Sequence, residues 1–146
     1  MTVQKDVGTS MASVDTQMQK EIESTINNLM QEIVVAAESR NWAKTFSRLS
    51  RKEGDLFFLN NRHYTLKSLL AFFGEEYGIM KSLMMRVVKS EVIVFSPDAA
   101  AWIGYGDGQI QRDDAAPETT YSFTETWIWQ KIDGEWTVTH YHESTG

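Results

Sequence analysis

The sequence predicts a single α+β domain in which helices come first and a curved antiparallel sheet follows and wraps around them. Three observations carry that expectation. Apolar residues recur at helical spacing only in the first half of the chain, and the second half consists of β-branched and aromatic runs of strand length. Those runs are separated by turn residues, among them Pro97-Asp98 and Asp133-Gly134. Helices followed by a meander bury their apolar sides against each other, and a curved sheet closed by helices leaves a cone-shaped cavity.

The opening residues are small and polar, so residues 1–14 are expected to form a disordered leader and residues 15–146 the folded domain. Thr16 with Gln19 has the form of a capping box, and Ile22, Ile26, Leu29, Met30, Ile33, Val34 and Ala37 follow at helical spacing. Asn41 is placed to cap a short second helix with Trp42, Phe46 and Leu49 on its apolar side. "DLFFLNNRHYT" reads as a short strand or irregular hairpin turning at Asn60-Asn61. Thr65 then caps a third helix carrying Leu66, Leu69, Leu70 and Phe73, with Gly78 as its stop. Four strands follow: "MMRVVKSEVIVFS", "AAAWIGYGDGQIQ", "TTYSFTETWIWQKI" and "EWTVTHYHES". Asp133-Gly134 between the last two is a two-residue hairpin signal.

A formal charge of −6 without clustered Lys and Arg argues against nucleic acid and anionic membranes as partners. No cysteine is present, which excludes disulfides, thiolate nucleophiles and Cys-ligated zinc. Neither a signal-peptide pattern nor a run of transmembrane length occurs, so a soluble, cytoplasmic protein is expected. The aromatic content of 12%, with five tryptophans, points to a large apolar interior, a pocket or a subunit interface.

Alternation along the last strand puts His140 and His142 on one face and Thr139, Tyr141 and Glu143 on the other. Two histidines at this spacing ligate a metal only with a third ligand, and the remaining histidine, His63, is far away in the chain. No metal site and no cofactor are therefore expected. In the preceding strand Tyr121, Phe123, Glu125, Trp127 and Trp129 share one face, as the lining of a cavity, an oligomer contact or ordinary core. Trp127 beside a carboxylate suits a flat or cationic ligand.

The order of elements resembles the nuclear-transport-factor-2-like superfamily, which includes ketosteroid isomerase, the SnoaL cyclases and scaffolding domains. The segment "TETWIWQKIDGEWTVTHYHESTG" resembles the end of the calcium/calmodulin-dependent protein kinase II association domain. The matching residues are Glu125-Thr126, Trp129, Asp133-Gly134, Trp136 and His140-Tyr141-His142-Glu143-Ser144. Where that family places pocket arginines, this chain has Trp127 and Glu143, and a further one aligns near Asp107. The resemblance implies that Thr139, Tyr141 and Glu143 face the cavity while His140 and His142 face away.

It also implies a pocket drawn from Tyr105, Asp107, Tyr121, Phe123, Glu125, Trp127, Tyr141 and Glu143. In it Glu143 or Asp107 is the candidate base, and Tyr141, Tyr105 or Tyr121 supplies the phenol. Desolvation and mutual repulsion raise the pKa of paired carboxylates, the condition for a base working near neutrality. Against this, Glu143 lies close to the chain end, where it would be solvated, and Asp107 between Gly106 and Gly108 also reads as a bulge or turn. Two functions stay open: a non-catalytic homo-oligomeric association or ligand-binding domain, dimeric or in a larger ring, and a small lyase, isomerase or cyclase acting on a carbonyl substrate. Under both, a small organic ligand is the expected partner of the pocket.

Overall fold

Helix α1 (Thr16–Glu38) is capped by Asp15, whose Oδ1 accepts the Met18 N–H at 2.8 Å. Asp15 has the extended backbone of a cap residue (φ −87°, ψ 173°), so it, and not the Thr16–Gln19 box, starts the helix. The stripe Ile22, Ile26, Met30, Ile33 and Ala37 is buried against the sheet. Asn41 caps α2 (Trp42–Thr45), accepting the Lys44 N–H at 3.1 Å. That helix lasts one turn, and Leu49 beyond it bridges to Val138 of the sheet. Strands β1 (Phe57–Leu59) and β2 (Arg62–Tyr64) form a hairpin that turns through Asn60 at φ 54°. Thr65 Oγ1 then accepts the Ser68 N–H at 3.2 Å and starts α3 (Leu66–Tyr77).

This computed structural model describes residues 14–77, 80–114 and 117–146. The leader expected over 1–14, apart from Val14, and the Gly78 stop lie outside the described residues. Among the described residues no helix is long and apolar enough to cross a membrane.

Strands β3 (Ser82–Ser96), β4 (Ala99–Gln111), β5 (Thr119–Ile132) and β6 (Glu135–Thr145) form an antiparallel meander. Asp133 and Gly134 take φ values of 52° and 81°, the two positive angles that a tight hairpin between twisted strands requires. The full sheet runs β2-β1-β6-β5-β4-β3, curved and open. One pairing departs from the expected antiparallel sheet: β1 lies parallel to β6, with Phe57, Phe58 and Leu59 opposite Tyr141, His142 and Glu143. The chain leaving α2 runs beside β6 in the same direction, already bonded to it by Ser50 N–H to the Val138 carbonyl at 2.8 Å, and β1 continues that course.

On β4 the inward positions are even-numbered: Trp102 is buried, and Gly104, Gly106 and Gly108 follow. These glycines make room for rings. A Cβ at Gly104 would lie 2.3 Å from the Trp102 ring, and one at Gly108 2.3 Å from the Tyr121 ring. At Gly106 it would lie 1.9 Å from the Arg86 carbonyl oxygen and 2.9 Å from the Phe123 ring. The register of β4 against β5 is unbroken through Gly106-Asp107-Gly108, so the bulge or turn contemplated there is absent; the irregularity falls opposite, at Val88 of β3.

Because rigid backbone blocks a methyl at Gly106, Gly106→Ala should destabilise the fold by about 1–3 kcal/mol, the range of overpacking. Gly74→Ala in α3, where nothing lies within 4 Å, should instead stabilise it by about 0.5–1 kcal/mol through helix propensity. Urea unfolding of the two variants beside the parent measures both.

Candidate functional site

Between the inner face of the sheet and the helices lies a cavity of about 180 Å³. Helix α1 contributes Met30, Ile33 and Ala37, the α2 region Trp42, Thr45 and Phe46, and α3 Phe73 and Tyr77. From the sheet come Met85, Ile110, Tyr121, Glu125, Trp127, Tyr141 and Glu143, with Arg112 just past β4. The walls are apolar and aromatic, and a few polar groups converge inside, the usual build of a small-molecule site. Trp127 and Tyr141 are cross-strand partners with ring centroids 4.3 Å apart, and Phe46 lies 6.1 Å from Tyr141. Across the cavity Phe73 joins Trp42 at 4.9 Å and Tyr77 at 5.2 Å.

Glu125 and Glu143 are directly opposite each other on β5 and β6, on the inner face. Glu125 is 6% exposed, and its Oε2 accepts the Trp127 Nε1–H at 2.8 Å. Its carboxyl lies beside that of Glu143, a contact that favours a proton on Glu143. Burial, reinforced by Glu125, pushes the Glu143 pKa well above the ordinary carboxylate range, against the opposing pull of its hydrogen bond with Tyr141. Burial, followed by the charge of Glu143, also raises the pKa of Tyr141, Tyr121 and Tyr77. At Tyr77 the positive charge of Arg112 works the other way. The cavity therefore contains neutral phenols around a pair of carboxyl groups in which Glu143 is biased toward its protonated form.

Of the residues singled out in the sequence, Tyr121, Glu125, Trp127, Tyr141 and Glu143 line this one cavity. Phe123 is buried beside Tyr121, at 6.2 Å between centroids, but does not reach the cavity wall. Tyr105 and Asp107 fall on the outer face, because odd-numbered positions of β4 point away from the helices. Asp107 there binds Arg86 through Nη2–Oδ2 at 2.6 Å and Nε–Oδ1 at 3.2 Å, and that contact lowers its pKa. The expected pairing of Asp107 with Glu143 is thus corrected: the second carboxyl of the cavity is Glu125.

Thr139 is also displaced. Ile128 pairs with His140 and Trp129 with Val138, so Thr139 is an extra residue that bulges out of the ladder. Trp136 and Val138 before the bulge, and Tyr141 and Glu143 after it, consequently share the inner face. His140 and His142 point outward, where Nδ1 of the first contacts the Leu56 carbonyl at 3.0 Å and Nε2 of the second the Asn60 carbonyl at 3.1 Å. Trp42, Phe46, Phe73, Tyr77 and Arg112 were not foreseen as cavity residues. For Arg112 a signal existed, since it continues the even-numbered inward series that runs through Trp102 and Ile110.

Structural comparison shows what this arrangement is like. A nuclear transport factor 2 (NTF2-like) superfamily protein from Salmonella enterica superposes with a TM-score of 0.71, at 16% identity, over 88% of this chain and 91% of its own. The chain has the NTF2-like fold. A candidate calcium/calmodulin-dependent protein kinase II association domain from Xanthomonas campestris matches at a TM-score of 0.70 and 15% identity, over 84% of this chain and 86% of its own. A hexachlorocyclohexane dehydrochlorinase from Novosphingobium barchaimii matches at 0.75 and 10% identity, over 90% of this chain and 91% of its own. No protein-family model and no curated protein matches the sequence. At these identities the likeness carries the fold, and it spans both an enzyme and an association domain.

The raised pKa of Glu143 has a sign in stability. Above the ordinary value of 4.5 the unfolded chain has released a proton that the folded chain keeps, so stability falls as pH rises from there toward the folded pKa. The limiting slope for one group is about 1.4 kcal/mol per pH unit. Glu143→Gln, which cannot ionise, should remove this decline, as measured by the pH dependence of the thermal unfolding midpoint.

Proposed function

We propose that this chain binds a small organic ligand in its NTF2-like cavity and exchanges a proton with it, in the manner of a small lyase or isomerase acting on a carbonyl compound. The Glu125–Glu143 pair, side by side on the cavity wall, is the observation that carries this reading. Glu125, tied down by the Trp127 indole N–H, is the member suited to remain a carboxylate and take a proton from carbon. Glu143 in its protonated form, with the Tyr141 hydroxyl, donates hydrogen bonds to the oxyanion that forms as the C–H bond breaks. The proton then returns to another carbon, or a leaving group departs with a proton from Glu143. Ketosteroid isomerase combines an Asp base with a Tyr and a protonated Asp as donors in this way.

Replacing either carboxyl should act on chemistry. On a carbonyl substrate found by screening, Glu125→Gln and Glu143→Gln are expected to lower kcat by about 10²–10⁴. Tyr141→Phe should lower it by a smaller factor, about 10–10², as the loss of one of two donors. Steady-state kinetics of the three variants is the check, and retention of full turnover in Glu125→Gln removes the acid–base reading.

A second reading concerns the outer face. Ile93, Phe95, Ile103 and Tyr105 expose between 37% and 59% of their surface on neighbouring strands β3 and β4. Adjacent exposed apolar side chains of this size favour association, and self-association through this face supports the homo-oligomer expected from the sequence. Ile103→Lys should then reduce the subunit count seen by native mass spectrometry, at protein concentrations where the parent is assembled.

A further inference from the structure

We infer that the ligand of the cavity is a small organic cation, an ammonium or quaternary ammonium compound, seated against Trp127 and Tyr141 and held by the negative charge of Glu125 and Glu143. This deepens the proposed function and rests on the cavity being a small-molecule site. The first argument is charge. Among the described residues lining the cavity Arg112 is the only Lys or Arg, and its Nη1 is engaged by the Glu76 carbonyl at 3.0 Å. Against it stand Glu125 and Glu143 inside, with Glu38 at the end of α1 outside the lining, its Oε2 accepting the Met85 N–H at 3.0 Å. An anionic ligand would be repelled by this set, and a neutral one would leave a buried carboxylate without a counter-ion, a costly state. A cation supplies the missing charge.

The second argument is the shape of the wall beside the carboxyls. Trp127, Tyr141 and Phe46 form a contiguous aromatic surface there, linked by centroid distances of 4.3 Å and 6.1 Å. Aromatic faces attract desolvated cations, Trp most strongly, and clusters of them are a known way of holding quaternary ammonium groups. The cavity of about 180 Å³ is below the range of about 300–1,000 Å³ that suits drug-sized ligands, so a compact headgroup fits it better than an extended molecule. A positive charge also acidifies neighbouring C–H bonds, which agrees with proton abstraction by Glu125.

In the empty cavity burial and the neighbouring Glu125 favour the protonated form of Glu143. A cation that enters meets the negative charge that the pair keeps, and the proton stays with Glu143, where the proposed chemistry uses it as a donor. The titratable groups that act directly on Glu143 are Glu125 from β5 and Tyr141 from β6, and Tyr77 from α3, Arg112 beyond β4 and Tyr121 from β5 line the same cavity; Glu38 from α1 and Glu76 from α3 lie outside the lining and act on Tyr121 and Tyr77. The three tyrosines are pushed further above their ordinary value of 10.0 and remain neutral, so the negative charge that a cation meets is that of the carboxyl pair.

The test is isothermal titration of the full chain with choline and with its neutral isostere, in which a quaternary carbon replaces the nitrogen. The expected result is choline binding at least about tenfold tighter than the isostere. Glu125→Gln should bring the two affinities together; Glu143→Gln, measured beside it, covers the case in which the first variant does not fold. Equal affinities in the parent overturn the inference while the small-molecule reading stands. Failure of both compounds to bind at millimolar concentration overturns the two together.

Discussion

The register of β5 against β6 decides what the cavity contains. Without the extra residue at Thr139, strict alternation from Trp136 and Val138 would carry His140 and His142 to the inner face, and Tyr141 and Glu143 would point to the outer one. One bulge reverses that outcome half-way along the strand. It keeps Val138 in the core, where it is fully buried, and still delivers Tyr141 opposite Trp127 and Glu143 opposite Glu125. Strand β1, itself flanked by β2, then locks the second half of β6, pairing Phe57 with Tyr141 and Leu59 with Glu143. The Asn60 N–H donates to the Glu143 carbonyl at 2.6 Å, so the residue near the chain end is held by backbone on both sides.

A carboxyl pair inside an apolar cone would be unfavourable if both groups were charged, and each contact around it reduces that cost. The indole N–H of Trp127 is satisfied by Glu125, and Glu125 is oriented by that N–H and by its neighbour Glu143. Trp127 is therefore both wall and hydrogen-bond donor, which explains why a large aromatic residue occupies this site on β5. The glycines of β4 make the same arrangement sterically feasible. Because Gly108 and Gly106 carry no side chain, Tyr121 and Phe123 lie flat across β4 and leave the space in front of Glu125 open.

Much of this fold was legible because its signals are local. Turn residues, strand-length aromatic runs and the Asp133-Gly134 hairpin place β4 and β5 to the residue, and Asn41 and Thr65 cap the helices as read. Parallel pairing of β1 with β6 was not legible, since it depends on where the chain runs after α2 and not on the composition of either strand. In the cavity, Glu125, Trp127 and Tyr121 followed from simple alternation on an unbroken strand. Asp107 was misplaced by alignment even though parity spoke against it: Trp102 is an obvious core residue, and a position five residues later on an unbroken strand must face the other way. The contributions of Phe73 and Tyr77 come from helix packing across the cone, for which a linear pattern holds no direct signal.

Parity also bears on whether the two functional readings compete. Ile103, Tyr105 and Asp107 are interleaved with Gly104, Gly106 and Gly108 on the same strand, so β4 presents an apolar and charged surface outward and a bare backbone inward. An assembly formed through the outer face would bury none of the cavity residues, and chemistry inside would leave the outer side chains untouched. Coupling between them would have to pass through the backbone of β4 and β5, which is stiffened by close glycine–aromatic contacts. The two faces can thus evolve separately, and one scaffold can serve as an association domain in one protein and as an enzyme in another. In this chain the inner face is the more specialised, because a carboxyl pair in which Glu143 is biased toward its protonated form detracts from stability above the ordinary carboxylate pKa and contributes nothing to an interface on the opposite side.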